Sequence, residues 1–312
     1  MRRSALRLWI VVLMCAITSG CMMKVAYNNL DRLVRWRVGD VIDFMPDQRH
    51  RFDQEFAVLW YWHRTTQLPE YASFFDELVR AVHAQPLGEV ELKATFATFT
   101  RWGDRLEARS LGLSANLLRS LSDAQVATLA ERIRADRGWR DTASDDFEGQ
   151  RRAWAERIEG LIENLAGRLD KDQIDLIEDC AGRYVPEQAM WEAYIEKWQD
   201  RLVALLEQRR SPGFEEELAL LISAEAYGSP LDEAVEANEK LSREALAAIL
   251  ASLTSRQQVR LEKTLGNLAQ DLRELAAQAP KFVPGHEERQ PVEGVRSSGI
   301  RRDWSGCAGD RV

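Results

Sequence analysis

Chemistry in a protein needs side chains that ligate, attack or exchange protons. The candidates in this chain are four histidines, four cysteines and 50 carboxylates. The histidines are His50, His63, His83 and His286. No two of them are spaced i, i+4, so no helix offers the paired ligands of a zinc protease. A di-iron bundle needs two Glu-x-x-His units and two further glutamates, and the nearest approach is a lone Asp47-x-x-His50. Acidic runs such as Asp145-Asp146 and Glu215-Glu216-Glu217 read as solvated helix faces, because carboxylates are seldom buried unpaired. No Gly-x-Ser-x-Gly elbow and no glycine-rich phosphate loop occurs. The expectation is a protein that is not an enzyme, with no catalytic residue, no metal and no cofactor. One polar grouping stands out. His63 and Arg64 close an aromatic run that holds Phe56, Trp60, Tyr61 and Trp62, and Tyr71 follows two turns later. Trp60, Trp62, His63, Arg64 and Tyr71 are the candidate binding residues. Trp and Arg dominate interface energetics, and large aromatics equally mark a helix at the centre of a bundle; the run fits either.

The elements that must position these residues are helical. Apolar residues recur at steps of three and four, and no stretch shows a sustained period of two. Tyr27, Leu30, Val34, Val38 and Val41 predict a first helix over about 24–43. Phe52, Phe56, Leu59 and His63 predict a second that stops before Leu68-Pro69, and Pro69 suits the first turn of a third. A long fourth helix carries Leu92, Phe96, Phe99, Gly103 and Leu106 on one stripe. Further helices are expected near 122–140, 146–168, 170–181, 186–210, 212–226, 230–251 and 254–278. The fold class is all-α, a bundle of about ten amphipathic helices. From Pro280 onward Pro, Gly and Ser break the periodicity and apolar residues thin out. Residues 280–312 read as a disordered tail that lacks the apolar surface to offset chain entropy.

One helix-start string repeats. Leu121-Ser122-Asp123-Ala124-Gln125, Leu169-Asp170-Lys171-Asp172-Gln173 and Leu253-Thr254-Ser255-Arg256-Gln257 share a Leu, a capping residue and a Gln three places on. Phe44-Met45-Pro46-Asp47-Gln48 is a degenerate fourth copy. The pattern is a capping box: Ser122, Asp170 or Thr254 accepts from the N3 amide, and the Gln reaches back to the cap's own N–H. Leu121 and Leu169 are placed to staple onto Val126 and Ile174. Met45 has no capping oxygen, and Pro46 at the first helical position carries that start. Local capping accounts for each copy separately. The separations of 77, 48 and 84 residues describe no tandem array of fixed period.

The same string resembles the LTxxQ motif of the Spy/CpxP class of periplasmic helical proteins, which act as envelope-stress chaperones and modulators. Tyr27-Asn28-Asn29-Leu30-Asp31, Trp60-Tyr61-Trp62-His63-Arg64 and Leu68-Pro69-Glu70-Tyr71-Ala72 are similar to strings of an uncharacterised family of Gram-negative lipoproteins, a domain of unknown function. That likeness implies a helical lipoprotein and supplies no catalytic residues.

At the N-terminus, Arg2, Arg3 and Arg7 precede an apolar stretch from Leu8 to Ile17, then Thr18-Ser19-Gly20-Cys21. A positive start, a short apolar core and a small-residue exit describe a secretory signal over residues 1–20. Its ending resembles the lipobox of bacterial lipoproteins, with Thr18 where that pattern prefers Leu. The resemblance implies lipid attachment at Cys21 and, with Met22 next, delivery to the outer membrane. The alternative is an ordinary cleaved signal with a cysteine nearby. Cys180 and Cys307 would then remain for the mature body; a bridge between them, or a buried free Cys180 with an incidental Cys307, are both open.

Removing residues 1–20 leaves 39 basic against 50 acidic residues, a net charge of −11, which argues against a nucleic-acid partner. Lys24, Arg32, Arg35 and Arg37 against Asp31 make the first helix locally basic, as suits a helix lying on an anionic leaflet beside its lipid. The sequence thus predicts residues 21–279 as a periplasmic helical body. It is expected to be anchored to the membrane by lipid and to act by binding another envelope protein. That binding is expected to be chaperone-like or stress-related, or alternatively that of a structural adaptor with one dedicated partner.

Overall fold

The computed structural model describes residues 20–135, 147–223 and 227–278. The predicted signal segment, the predicted tail and Cys307 lie outside these residues. Within them the chain forms α1 (Gly20–Val41), α2 (Pro46–Trp62), a π-helical segment (His63–Gln67), α3 (Leu68–Ala84) and α4 (Glu89–Ser120). There follow α5 (Asp123–Ala135), α6 (Phe147–Ala166), α7 (Lys171–Ala181), α8 (Gln188–Glu207), α9 (Phe214–Ile222), α10 (Leu231–Ser252) and α11 (Ser255–Ala277). No strand occurs among the described residues, and the all-α expectation holds.

The expected stop before Leu68-Pro69 does not occur. Residues 46–84 form one continuous helical run with the π segment inside it. Pro69 has no N–H to donate and its ring crowds the carbonyl four residues back. A widened turn relieves that clash: the Leu68 N–H bonds to the His63 carbonyl, five residues back. The Thr65 and Thr66 hydroxyls donate to the Tyr61 and Trp62 carbonyls at 2.8 and 2.7 Å.

Packing centres on α11, which runs along α3 and also touches α1, the π segment and α6. Its stripe of Leu261, Leu265, Leu268, Leu272 and Leu275 is buried throughout. With Phe75, Ile162, Ile177 and Ile249 it makes the main core. A second cluster, around Ile42, Leu121, Val126, Leu129 and Leu206, closes the far end of α1 against α5 and α8. A third joins α4, α8 and α9 through Ala115, Leu205, Phe214, Leu218 and Leu221. On α4 the buried residues are Leu92, Phe99, Trp102 and Ala115; Phe96 and Leu106, on the expected stripe, stay more than a third exposed. Cys180 is a buried free cysteine.

Candidate functional site

The structure brings His63, Arg64 and Tyr71 together with Trp60, and places α1 over them. The π segment sets this up, because it rotates His63 and Arg64 toward α1 while Leu68, Ala72 and Phe75 of α3 keep facing the core. Tyr27 of α1 stacks on Trp60, ring centres 4.8 Å apart, and its hydroxyl lies 2.8 Å from His63 Nδ1. Trp60 also stacks on His63, and Trp62 and Tyr71 meet the imidazole edge-on. Arg64 lies over the Tyr27 ring at 5.1 Å and donates to Asn28 Oδ1. Tyr71 packs 4.1 Å from Trp102, whose indole N–H donates to Glu70. Arg105 grips that same carboxylate with both guanidinium nitrogens. The sequence pointed to five of these residues. It missed Tyr27, Asn28, Gln67 and Trp102, although Tyr27-Asn28 stands in one of the family-like strings.

The electrostatics of this cluster follow from enclosure. Desolvation, with Arg64 beside the ring adding to it, pushes the His63 pKa down to about 4. The imidazole is therefore neutral at pH 7, with one ring nitrogen a donor and the other an acceptor. Burial raises the Tyr27 pKa beyond its ordinary range and the Tyr71 pKa to about 12. Glu70 is held below the usual carboxylate range by its bonds to Arg105. Arg64 Nε and Gln67 Oε1 are buried with no hydrogen-bond partner among the described residues. Each such group costs about 1–3 kcal/mol, and two of them fall within the π segment. Trp62 sits at the margin of the cluster, with Arg109 over its ring at 5.8 Å.

The four helix-start strings also come together, two by two. Gln48 and Gln125 exchange amide hydrogen bonds at 3.1 and 2.8 Å; Gln173 and Gln257 do the same at 3.2 and 2.9 Å. In all four, the side-chain oxygen also accepts from its own cap N–H, at Met45, Ser122, Asp170 or Thr254. Each amide nitrogen donates further, to the carbonyl two residues before the partner's cap: Ser120, Asp43, Ser252 and Arg168. The capping halves from Ser122, Asp170 and Thr254 to the N3 amides are present at 3.2, 3.0 and 3.3 Å. Leu121 and Leu169 are buried and Leu253 is half-buried against the main core. Local capping is thus only part of the pattern. Each Gln closes its own helix and fastens a second one, and the degenerate copy at Met45 is a full member.

The other candidate chemistry disperses. His50 pairs with Gln54 and His83 with Glu262, at 3.0 and 3.2 Å, and His286 lies outside the described residues. Among the described residues no three His, Cys, Asp or Glu side chains gather as a metal would require. An open depression beside Cys180 is lined by Asp172, Asp175, Leu176, Asp179 and Arg183. Arg183 reaches across it to Cys180 Sγ at 3.6 Å and to Glu244 at 2.8 Å. Cys21 lies in the first turn of α1. The expected basic face of that helix is partly consumed by the protein itself: Lys24 pairs with Asp271 and Glu274 of α11 at 2.9 and 2.6 Å, and Arg35 pairs with Asp53 of α2.

A bundle in which reciprocal glutamine caps lock helix starts in pairs, with an aromatic cluster closed over by the first helix, defines the class of this chain. A family model described as a family of unknown function (DUF6279) matches residues 40–230, and the chain belongs to that family. No curated protein and no solved structure matches it.

Proposed function

We propose that the chain is a lipoprotein of the outer membrane, attached through Cys21 and facing the periplasm. In this reading it acts by binding envelope proteins in a chaperone-like or stress-related role, without catalysis. The binding reading rests on the four LTxxQ-like starts, and in particular on Gln125, Gln173 and Gln257, each the last residue of a capping box. The anchor reading rests on the signal-like segment ending in Gly20-Cys21 and on α1 beginning at Gly20, which leaves no spacer between lipid and fold. No described helix is long and apolar enough to cross a membrane. The test is aggregation of unfolded clients with purified mature protein. Suppression at near-stoichiometric amounts supports the reading, and no effect across several clients removes it.

One observation favours an adaptor with a single dedicated partner instead. The interior is fixed by one buried and one half-buried amide pair and a closed aromatic cluster, and such a body has little freedom to mould itself to varied clients. Crosslinking in cells followed by pull-down separates the two. One dominant crosslinked species indicates the adaptor, and a diffuse spread indicates the chaperone.

A further inference from the structure

We propose that the outward face of α1 is a docking surface for the lipid bilayer itself, a proposal that rests on lipid attachment at Cys21. The inward face of this helix is already occupied: Met23 and Tyr27 are buried, and Lys24 and Arg35 are spent on ion pairs. On the outward side three large apolar residues remain uncovered, Val25, Leu33 and Trp36, at 62%, 54% and 63% exposure. Val25, Asn29, Arg32 and Trp36 follow one another at steps of four, three and four, so by helical register they share one side, a line that starts one turn after the proposed attachment point. The groups left for an anionic surface are arginines: Arg32 on the helix, and Arg49, whose guanidinium lies against Gly39. Asp40 pairs with Arg37, and the exposed Asp43 pairs with Arg132.

This combination selects a bilayer over a protein partner. Trp beside Arg and short aliphatics is the composition of a helix lying in the plane of a membrane interface. An acyl chain one turn ahead of the line brings that plane against the first turn. At ~1.5 Å per residue, Trp36 is then only about 22 Å along the surface. Docking becomes intramolecular once the chain is tethered, so a modest apolar face is enough to hold the orientation. The basic residues of the helix thus divide in role: Lys24 and Arg35 hold it to its own body, and Val25, Leu33 and Trp36 meet the lipid.

The experiment uses single reporters, Asn29→Cys and Leu33→Cys, with Leu220→Cys and Val259→Cys as exposed controls, all combined with Cys307→Ser. Each lipidated protein is reconstituted on vesicles containing phosphatidylglycerol and labelled with a membrane-impermeant maleimide. The reference is the same set in soluble form, made with Cys21→Ser. The expected result is labelling at 29 and 33 slowed roughly tenfold on vesicles, with the two controls unchanged, as burial of an apolar side chain at a lipid surface requires. Adding Trp36→Glu should restore the rate. Equal rates at all four sites overturn the docking face while leaving the anchor intact. Protection at 29 and 33 that appears in the soluble form and grows with protein concentration overturns it in favour of a second copy. If the unaltered chain and Cys21→Ser fractionate alike as soluble proteins, the anchor reading fails and the docking face falls with it.

Discussion

Gln173 and Gln257, 84 positions apart, exchange amide hydrogen bonds in both directions within the core. Neither amide group has an idle position: each oxygen takes its own cap N–H and the partner's N–H, and each nitrogen also reaches a carbonyl beyond the partner's cap. Buried polar groups are tolerable only on such terms.

Gln257→Glu keeps the shape and removes both donors, leaving a carboxylate against Gln173 Oε1 and the Arg168 carbonyl. The expected loss is about 2–4 kcal/mol, from an unpaired buried charge facing two oxygens. In a double-mutant cycle of Gln173→Ala and Gln257→Ala, urea unfolding should give a coupling of about 1–2 kcal/mol. Additive losses would mean that each Gln serves only its own helix.

Met45→Thr should stabilise the protein. The backbone at Met45 is already extended, φ −70° and ψ 153°, as a cap requires, and the side chain is more than half exposed. Only the oxygen for the Gln48 amide is missing. The gain should be about 0.5–1 kcal/mol, read as a shift of the denaturant midpoint without a change in slope.

Stability should fall in acid through His63. Its folded pKa of about 4 lies below the ordinary value of 6.5, so between those values the unfolded chain binds a proton that the folded chain does not. The contribution is whole above pH 6.5 and is lost as pH falls toward 4, by about 3 kcal/mol at ~1.4 kcal/mol per unit. Arg64 nearby is itself a cation, and Tyr27 and Tyr71, which contact the ring, offer no anion to receive the charge. Unfolding curves of the wild type and His63→Gln, measured from pH 7.5 to 4, should converge in acid; parallel curves would contradict the buried neutral imidazole.

Arg209 is 3% exposed and holds the Leu121 carbonyl at 2.9 Å, the Leu206 carbonyl at 3.1 Å and the Asp123 carboxylate. Arg209→Met preserves much of the volume but takes the donor from the Leu121 carbonyl and the cation from Asp123, while the Leu206 carbonyl keeps the backbone N–H of residue 209. A loss of about 3 kcal/mol is expected, with Arg209→Lys intermediate because a single ammonium cannot fork to three acceptors.

Helix positions were legible because amphipathic spacing is local: Leu261, Leu265, Leu268, Leu272 and Leu275 announce their face without reference to any other element. Pro69 was misleading for the same reason. Its usual place in a first turn is a local rule, and here the widening of residues 63–67 let one helix run through it. The glutamine pairs joined strings 77 and 84 residues apart, beyond the reach of any local rule. A signal was nevertheless present: the capping residue varied over Met, Ser, Asp and Thr while the Gln did not, as expected if the Gln alone has a second partner. For the candidate site, the residue types were visible, but only tertiary packing could show that Tyr27 lies over His63. Likewise Lys24 and Arg35 read as solvent-facing cations until their partners on α11 and α2 were located.

The clasp of Lys24 on Asp271 and Glu274, together with Asn28 donating to Gln278 at 3.1 Å, joins the first helix to the last. Its consequence is mechanical. A pull applied to the chain at residue 21 is not spent on peeling one terminal helix from the rest. It passes within two turns into α11, whose leucine stripe lies in the main core, and so loads the bundle instead of one helix.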